Sequence, residues 1–393
     1  MAASLSPHRV APVATSGILL VHIDFLLTGI VMTFLGPMLP QLALRWSLTD
    51  AGAGTLIFAE FLSSMFGMLL SGVLVGRLGY RRTFMVGLFL MACGMAGLAS
   101  GPWLAGLASV CTLGVGYGIT TPAGNLRTAQ LSPQRSASAL NVINAVWGMG
   151  AMSSPVFVAL ALRAQRPSWF LYATSAALMM VLMAMAGSRF RPDRDAQAPV
   201  RTGETGVFRR PLLFLICVLF FVYVGTETCF GQWVATYARR IGTGPQWVAA
   251  VTPVFFYGAL LLGRALAPIA LRFRSVSTVA RTGLITAVLG GVSLMAAQGT
   301  ALAATGAFLA GLGLASIFPI SVSLLPYWFR DSTRQASSPV FASGNAGGAV
   351  LPWLLGMVSA HYTGLRLAFS IPLVGSAMML GFYMAARPAR APA

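Results

Sequence analysis

Residues 114–122 read GVGYGITTP, and residues 311–319 read GLGLASIFP. The first, third and ninth residues of the two stretches are identical and lie 197 positions apart. The same offset pairs Gly150 with Gly347 and Pro155 with Pro352. Five matches at one offset, placed within long apolar runs, indicate that the chain contains two copies of one structural pattern.

The composition places this duplicated pattern in a membrane. Of the 393 residues, 57% are hydrophobic and 9% are charged, and the mean hydropathy is +0.78. Soluble domains are about one quarter charged. So few charges would leave the surface of a soluble protein of this length uncovered. The composition therefore excludes the soluble classes and favours a polytopic helical membrane protein.

The chain divides into twelve apolar runs, each long enough for a membrane-spanning helix of about 20 residues. The runs are 14–44, 51–76, 83–100, 103–126, 137–162, 167–187, 211–238, 246–271, 277–297, 301–326, 337–361 and 366–386. Runs four and ten carry matching residues and are six spans apart, so they cross in the same direction. We therefore predict an all-α membrane protein with two parallel six-helix halves, related by an axis along the membrane normal.

The two predicted halves are residues 1–187 and 211–393, and residues 188–210 form the polar linker between them. The 26 basic residues are all arginine, against 8 acidic residues. Nineteen arginines fall on the linker side of the predicted bundle and 6 on the other side, with Arg264 inside a span. This asymmetry predicts that both termini are cytoplasmic. Because the arginines are scattered between apolar runs, we expect no nucleic-acid partner.

Three acids lie inside apolar runs and are the candidates for proton coupling: Asp24, Glu60 and Glu227. An acid at the bilayer centre costs about 2.5–3.5 kcal/mol, so such a residue usually faces a cavity or a partner. Asp24 lies about 15 Å into the first span, near the bilayer centre. It could carry a proton between the two sides, or it could hold packed helices together. Glu60 could couple protons or pair with Arg264.

Polar and aromatic residues within the spans are candidates for solute binding. Tyr223 lies one helical turn before Glu227, and Asn141, Asn144 and Trp147 form a narrow polar stripe in the fifth span. The same residues could instead hydrogen-bond between helices, and a tryptophan near a span end could anchor at the interface. The full candidate set is Asn125, Asn141, Asn144, Trp147, Tyr223, Glu227, Gln232, Trp233 and Asn345.

Residues 72–82, GVLVGRLGYRR, follow the second span. They resemble the G-x-x-x-D-R/K-x-G-R/K-R/K signature of the major facilitator superfamily, with Gly76 standing where the family has an acid. The resemblance, together with twelve spans, a central linker and parallel halves, covers essentially the whole chain. It implies a twelve-helix transporter fold. It also implies a cytoplasmic gate without the acid's part of the charge network. The implied gate residues are Gly72, Arg77, Gly79, Arg81 and Arg82.

Two further segments resemble the fucose-permease-like branch and related glucose transporters. Residues 223–233 read YVGTETCFGQW, and residues 344–353 read GNAGGAVLPW. Asp24 matches a first-span acid of the fucose permease. The fourth-span acid of that permease has no counterpart in residues 120–125, TTPAGN. The resemblance to this branch implies a sugar:proton symporter.

The sequence thus predicts a secondary transporter that moves a small polar solute, expected to be a sugar, by alternating access with proton coupling. Sodium coupling stays open. The 24 phenylalanines and 19 methionines also fit an efflux antiporter for amphipathic compounds, and a non-transporting receptor on the same fold is a third interpretation. The chain has no enzyme motif, no phosphate-binding loop and no cysteine–histidine ligand spacing. We therefore expect no enzyme activity, cofactor or metal, and a monomer in a bacterial inner membrane.

Overall fold

The computed structural model describes residues 15–132, 135–188, 211–329, 332–362 and 364–385. Within these ranges the protein consists of helices joined by short turns, and no strand is present. The predicted linker, apart from its first residue, and both chain ends lie outside the described residues. The cytoplasmic placement of these segments therefore stays a prediction.

The described residues form fifteen helices. They are α1 (Thr15–Thr33), α2 (Leu35–Trp46), α3 (Asp50–Ala99), α4 (Trp103–Leu131), α5 (Ser136–Arg163), α6 (Pro167–Gly187), α7 (Pro211–Ile241), α8 (Gln246–Val251), α9 (Pro253–Phe273), α10 (Val276–Ala296), α11 (Thr300–Leu314), α12 (Ile317–Phe329), α13 (Thr333–His361), α14 (Leu365–Ala368) and α15 (Ser370–Ala385).

These helices account for the twelve predicted spans. Among the described residues, 9 helical stretches are long and apolar enough to cross a membrane, or 10 when the bent pair α1–α2 counts as one span. Helix α3 has 50 residues, about 75 Å at the helical rise, which is more than twice the hydrocarbon thickness. Gly79, with φ 75° and ψ 166°, breaks it into the second and third spans. Helix α13 is less apolar, but its 29 residues are long enough to form the eleventh.

The segment after the second span differs from the expected loop. Residues 77–82 were predicted to connect two spans, but they are helical on both sides of a single turn at Gly79. A positive φ there is available to glycine at little cost, which lets the chain reverse without leaving helical geometry elsewhere. The first span is also broken, by a 44° bend between α1 and α2. Pro37 explains this bend, because its ring excludes the backbone hydrogen bond to Thr33.

The duplicated glycines make equivalent contacts in the two halves. Gly116 of α4 lies against the Gly87 carbonyl of the third span, and Gly313 of α11 lies against the Gly283 carbonyl of the ninth. A side chain at either glycine would overlap the facing backbone. Gly150 and Gly347 likewise lie against the carbonyls of Leu26 and Phe221. The repeat read from the sequence is therefore a repeat of helix packing.

Arginines cap the ends of helices in both halves. Arg81 donates to the Met185 and Ala186 carbonyls at the end of α6, and Arg281 donates to the Tyr383 carbonyl near the end of α15 at 3.0 Å. The last carbonyls of a helix lack partners within the helix and attract cations. Two further arginines reach the third and ninth spans, where Arg45 donates to Leu98 and Arg366 to Ala297. These arginines therefore fix helix positions, whatever they contribute to topology.

The two halves pack through three pairs of neighbouring spans. Helix α3 runs along α13, α2 lies on α7, and α5 meets α8 and α9. These helices position the candidate site at the interface between the halves.

Candidate solute site between the two halves

An ion pair with an attached tyrosine lies in the middle of the C-terminal half. The Tyr223 hydroxyl donates to the Glu227 carboxylate, which follows it by one turn of α7. Arg264 of α9 places Nη2 3.6 Å from Glu227 Oε1. The sequence had left Glu60 open as a partner of Arg264, but the structure pairs Arg264 with Glu227. The shared helix face predicted for Tyr223 and Glu227 is confirmed.

This ion pair keeps spare capacity for a third polar group. The distance of 3.6 Å between Arg264 and Glu227 is longer than a hydrogen bond. The side chains are only 27% and 19% exposed, and Arg264 Nε is buried without a partner among the described residues. Buried polar groups normally have hydrogen-bond partners. The pair can therefore accept and donate hydrogen bonds to a solute without first breaking other bonds.

The N-terminal half brings a second set of polar groups to the same region. Tyr117 of α4 adjoins Trp147 of α5, whose Nε1 is buried without a partner among the described residues. Tyr117 is also within electrostatic range of both Glu60 and Glu227. Tyr257 of α9 is within range of the same two carboxylates. Glu60, Tyr117 and Trp147 of one half therefore face the Glu227 cluster of the other half.

Sequence analysis missed the two tyrosines of this region, Tyr117 and Tyr257. Each lies in the interior of a predicted span and far from the ends, where tyrosine usually anchors a helix at the interface. The Tyr257 hydroxyl lies so close to Gly231 that a side chain there would overlap it. A tyrosine at the middle of a span was the signal that could have found them.

Asp24 and Glu60 are buried carboxyls that the structure leaves without partners. Both side chains are fully buried, and none of their four carboxyl oxygens has a hydrogen-bond partner among the described residues. An unpaired carboxylate is far more costly to bury than a neutral acid. The neutral, protonated form therefore fits both environments, and a proton must leave only when the surroundings change.

The asparagines of the candidate set are less concentrated. Asn141 and Asn144 are exposed, and Asn144 donates to the Leu140 carbonyl of its own helix at 2.7 Å. Asn125 is half-buried and donates to the Thr121 carbonyl, leaving its Oδ1 buried without a partner among the described residues. Asn345 donates to the Phe341 carbonyl at 3.1 Å and lies 3.4 Å from the Met68 sulfur, across the interface.

Gln232 and Trp233 each have a structural partner. Gln232 donates to the Met32 carbonyl at 3.2 Å and so joins α7 to the end of α1. Trp233 is fully buried and donates to the Pro352 carbonyl of α13 at 3.0 Å. Both side chains thus hold helices together in this conformation, and their part in solute binding stays a prediction.

With this geometry, comparison with known proteins is informative. The family model described as Major Facilitator Superfamily matches residues 23–278, more than half of the chain. The chain belongs to the major facilitator superfamily. It is accordingly a membrane transporter and not an enzyme.

Individual members of the superfamily match over most of their length. The glucose/mannose transporter GlcP of Bacillus subtilis is 22% identical over 84% of this chain and 85% of its own. The structure of the nucleoside transporter NupG superposes with a TM-score of 0.79, at 14% identity, over 95% of this chain and 99% of that chain. The inward-open structure of the xylose transporter XylE from E. coli gives 0.74, also at 14% identity, over 96% and 97%.

The superfamily signature of residues 72–82 takes a partly structural form here. Gly79 supplies the turn, and Arg81 caps α6. Gly72, Arg77 and Arg82 are exposed. Gly76, at the position of the family's acid, is also exposed. A gate role for the exposed arginines stays a prediction.

The described contacts between the halves close the end of the bundle opposite the linker. There the Asp50 carboxylate accepts hydrogen bonds from both Nη atoms of Arg240 and from the Ser359 hydroxyl. These residues lie at the start of the second span and at the ends of α7 and α13. Asn141 and Asn144, in contrast, are exposed near the linker end of α5. The site is therefore open toward the linker side.

We expect Asp50→Asn to loosen the closed end, because the amide cannot accept both charge-assisted bonds of Arg240. The pair is partly exposed, so the shift should be about fivefold. The measurement is the labelling rate of a Phe58→Cys variant by an impermeant thiol reagent, with the four native cysteines changed to serine. Phe58 packs on Trp353 inside the closed interface, with ring centroids 5.9 Å apart.

The matched control for this experiment is Arg239→Gln, which removes an exposed charge beside Arg240. It should leave the labelling rate at position 58 unchanged. If Asp50→Asn labels no faster than this control, the Asp50–Arg240 pair does not hold the closed end together.

Proposed function

We propose that this chain is a secondary active transporter that carries a sugar across the membrane by alternating access, coupled to a proton. The observation that carries the proposal is the Glu227–Arg264 pair, with its unfilled hydrogen-bonding capacity, facing Glu60 and Trp147 of the other half. The name of the relative GlcP, a glucose/mannose transporter, supports a sugar as the solute.

The chemistry of the site suits a sugar. A hydroxyl can donate to the Glu227 carboxylate and accept from the Arg264 guanidinium in one bidentate arrangement. Trp147 offers both a free indole N–H and an aromatic face, and the C–H face of a sugar ring packs on such a surface. A solute held from both halves links them, so its binding favours movement of one half against the other.

Proton coupling follows from the two buried carboxyls. We assign the coupling proton to Asp24, which lies near the middle of the membrane in the N-terminal half and is buried without a partner among the described residues. Glu60 is the second candidate because it faces the solute region. A group that stays neutral while buried and ionises when it reaches water can carry a proton from one side to the other.

For the assembly in the cell, we propose a monomer in a bacterial cytoplasmic membrane with both termini in the cytoplasm. The arginine asymmetry supports this orientation. In that orientation the structure is inward-open, with its closed end facing outside.

Counterflow in proteoliposomes tests the function. Vesicles loaded with unlabelled D-glucose should take up labelled D-glucose faster than protein-free vesicles, and an imposed inward proton gradient should drive accumulation. Mannose, galactose, uridine and the amphipathic cation ethidium serve as competing probes. Exchange of uridine or ethidium without exchange of any sugar would contradict the sugar assignment, and binding without exchange would indicate a receptor.

We expect Trp147→Phe to weaken sugar binding about fivefold to tenfold. The ring and its packing stay, but the buried N–H is lost, which removes one hydrogen bond of about 1 ± 0.5 kcal/mol. The measurement is the half-saturating sugar concentration in counterflow. Trp169→Phe, an exposed tryptophan on α6, is the matched control and should leave this concentration unchanged. Equal affinities for Trp147→Phe and wild type would show that the indole N–H does not contact the solute.

A further inference from the structure

A groove of about 250 Å³ opens on the C-terminal half, away from the solute site. It lies between α9 and α10, and the junction of α11 with α12 forms its floor. The residues that matter for its character are Leu266, Ala270, Val279, Thr282, Thr286 and Leu312. Helix α10 packs chiefly on α11 and α15 of the same half, and Leu266 is 47% exposed. The groove therefore faces the lipid.

The walls of the groove are apolar despite two threonines. Thr282 Oγ1 donates to the Thr278 carbonyl at 3.0 Å, and Thr286 Oγ1 donates to the Thr282 carbonyl at 2.9 Å. Because both hydroxyls are bonded to their own helix, the threonines offer no free donor to an occupant. A sugar would find no polar partner on these two side chains, whereas a hydrocarbon chain fits them. From 263 to 270 the lining covers about 10 Å of α9.

Two positive charges lie at one end of the groove. Arg274 donates its backbone N–H to the carbonyl of Ala270, a groove residue, at 2.9 Å, and Arg272 precedes it by one helical position. Both arginines are exposed, and neither side chain pairs with a described residue. The described carboxylates lie elsewhere: Asp50 is at the opposite end of the bundle, and Asp24, Glu60 and Glu227 are in the spans.

We propose that this groove is a binding site for an anionic phospholipid. One acyl chain fills the groove between α9 and α10, and the headgroup phosphate lies on Arg272 and Arg274. A neutral phospholipid has the same acyl chain but no net charge to match the two arginines. The charge on the lipid therefore decides which lipid occupies the site.

The test is native mass spectrometry of the purified protein with phosphatidylglycerol or phosphatidylcholine of identical acyl chains. Wild type should retain one phosphatidylglycerol more tightly than phosphatidylcholine. The double variant Arg272→Gln, Arg274→Gln should lose this preference, with binding of phosphatidylglycerol weakened about 30-fold, the effect of two arginines at a membrane surface. The matched control is Arg77→Gln, Arg82→Gln, at the corresponding turn of the N-terminal half, which should keep the preference.

The groove itself is tested with the arginines intact. Ala270→Phe fills the groove at the headgroup end and Thr286→Phe fills it at the far end, so one variant serves if the other does not fold. Either should release the phosphatidylglycerol while the thermal unfolding midpoint without lipid stays near that of wild type. An equal loss in the two double-arginine variants would overturn the site in favour of general surface charge. Unchanged binding in a folded groove-filling variant would overturn it as well.

Discussion

Glu227→Gln should abolish efficient transport, with sugar affinity falling about 10-fold to 150-fold. Glutamine keeps the shape of the side chain but removes its charge. A hydrogen bond to a charged group is worth about 1.5–3 kcal/mol, and the sugar, Tyr223 and Arg264 all lose this acceptor together. Half-saturation in counterflow measures the effect. Thr228→Ala, which alters the next residue of α7, is the control and should stay within about twofold of wild type.

Removing Glu227 also leaves Arg264 buried without its partner, which by itself can destabilise a protein by about 3–5 kcal/mol. The double variant Glu227→Gln, Arg264→Gln separates this effect from solute binding, because it removes both charges. The double variant should recover thermal stability but not sugar affinity. Recovery of both would mean that Glu227 serves only to neutralise Arg264, and the solute assignment would then be wrong.

Asp24→Asn should separate exchange from accumulation. The amide resembles the protonated carboxyl in shape and charge, so solute binding and counterflow should persist. It cannot release a proton, so a pH gradient should no longer drive uptake. For one proton per sugar, each pH unit supports about tenfold accumulation in the wild type, and the variant should only equilibrate the sugar. Both quantities are measured in one proteoliposome preparation.

Glu60→Gln is the matched comparison, since Glu60 is equally buried and equally unpartnered among the described residues. If Asp24 carries the proton, the glutamine variant should keep gradient-driven accumulation and change only sugar affinity. Full accumulation in Asp24→Asn together with its loss in Glu60→Gln would transfer the coupling role to Glu60. Full accumulation in both variants would leave Glu227 as the remaining acid.

The twelve-helix fold was predictable from the sequence because each of its signals is local or periodic. The apolar runs give the spans directly, since backbone groups in lipid must bond within one helix. The five residues repeated at an offset of 197 gave the parallel halves. These glycines sit where backbones touch, and such contacts tolerate no other residue. Tyr223 and Glu227 were predictable as a pair because four residues make one helical turn.

Only the tertiary structure decided which groups meet between helices. Arg264 could reach Glu60 or Glu227 as far as the sequence tells, and the packing of α9 on α7 selected Glu227. Trp233 looked like a stacking residue, but the same packing turned its indole toward the Pro352 carbonyl. Spacing along the chain fixes neighbours on one helix. Distances between helices depend instead on how whole surfaces fit together, and no short stretch of sequence contains that information.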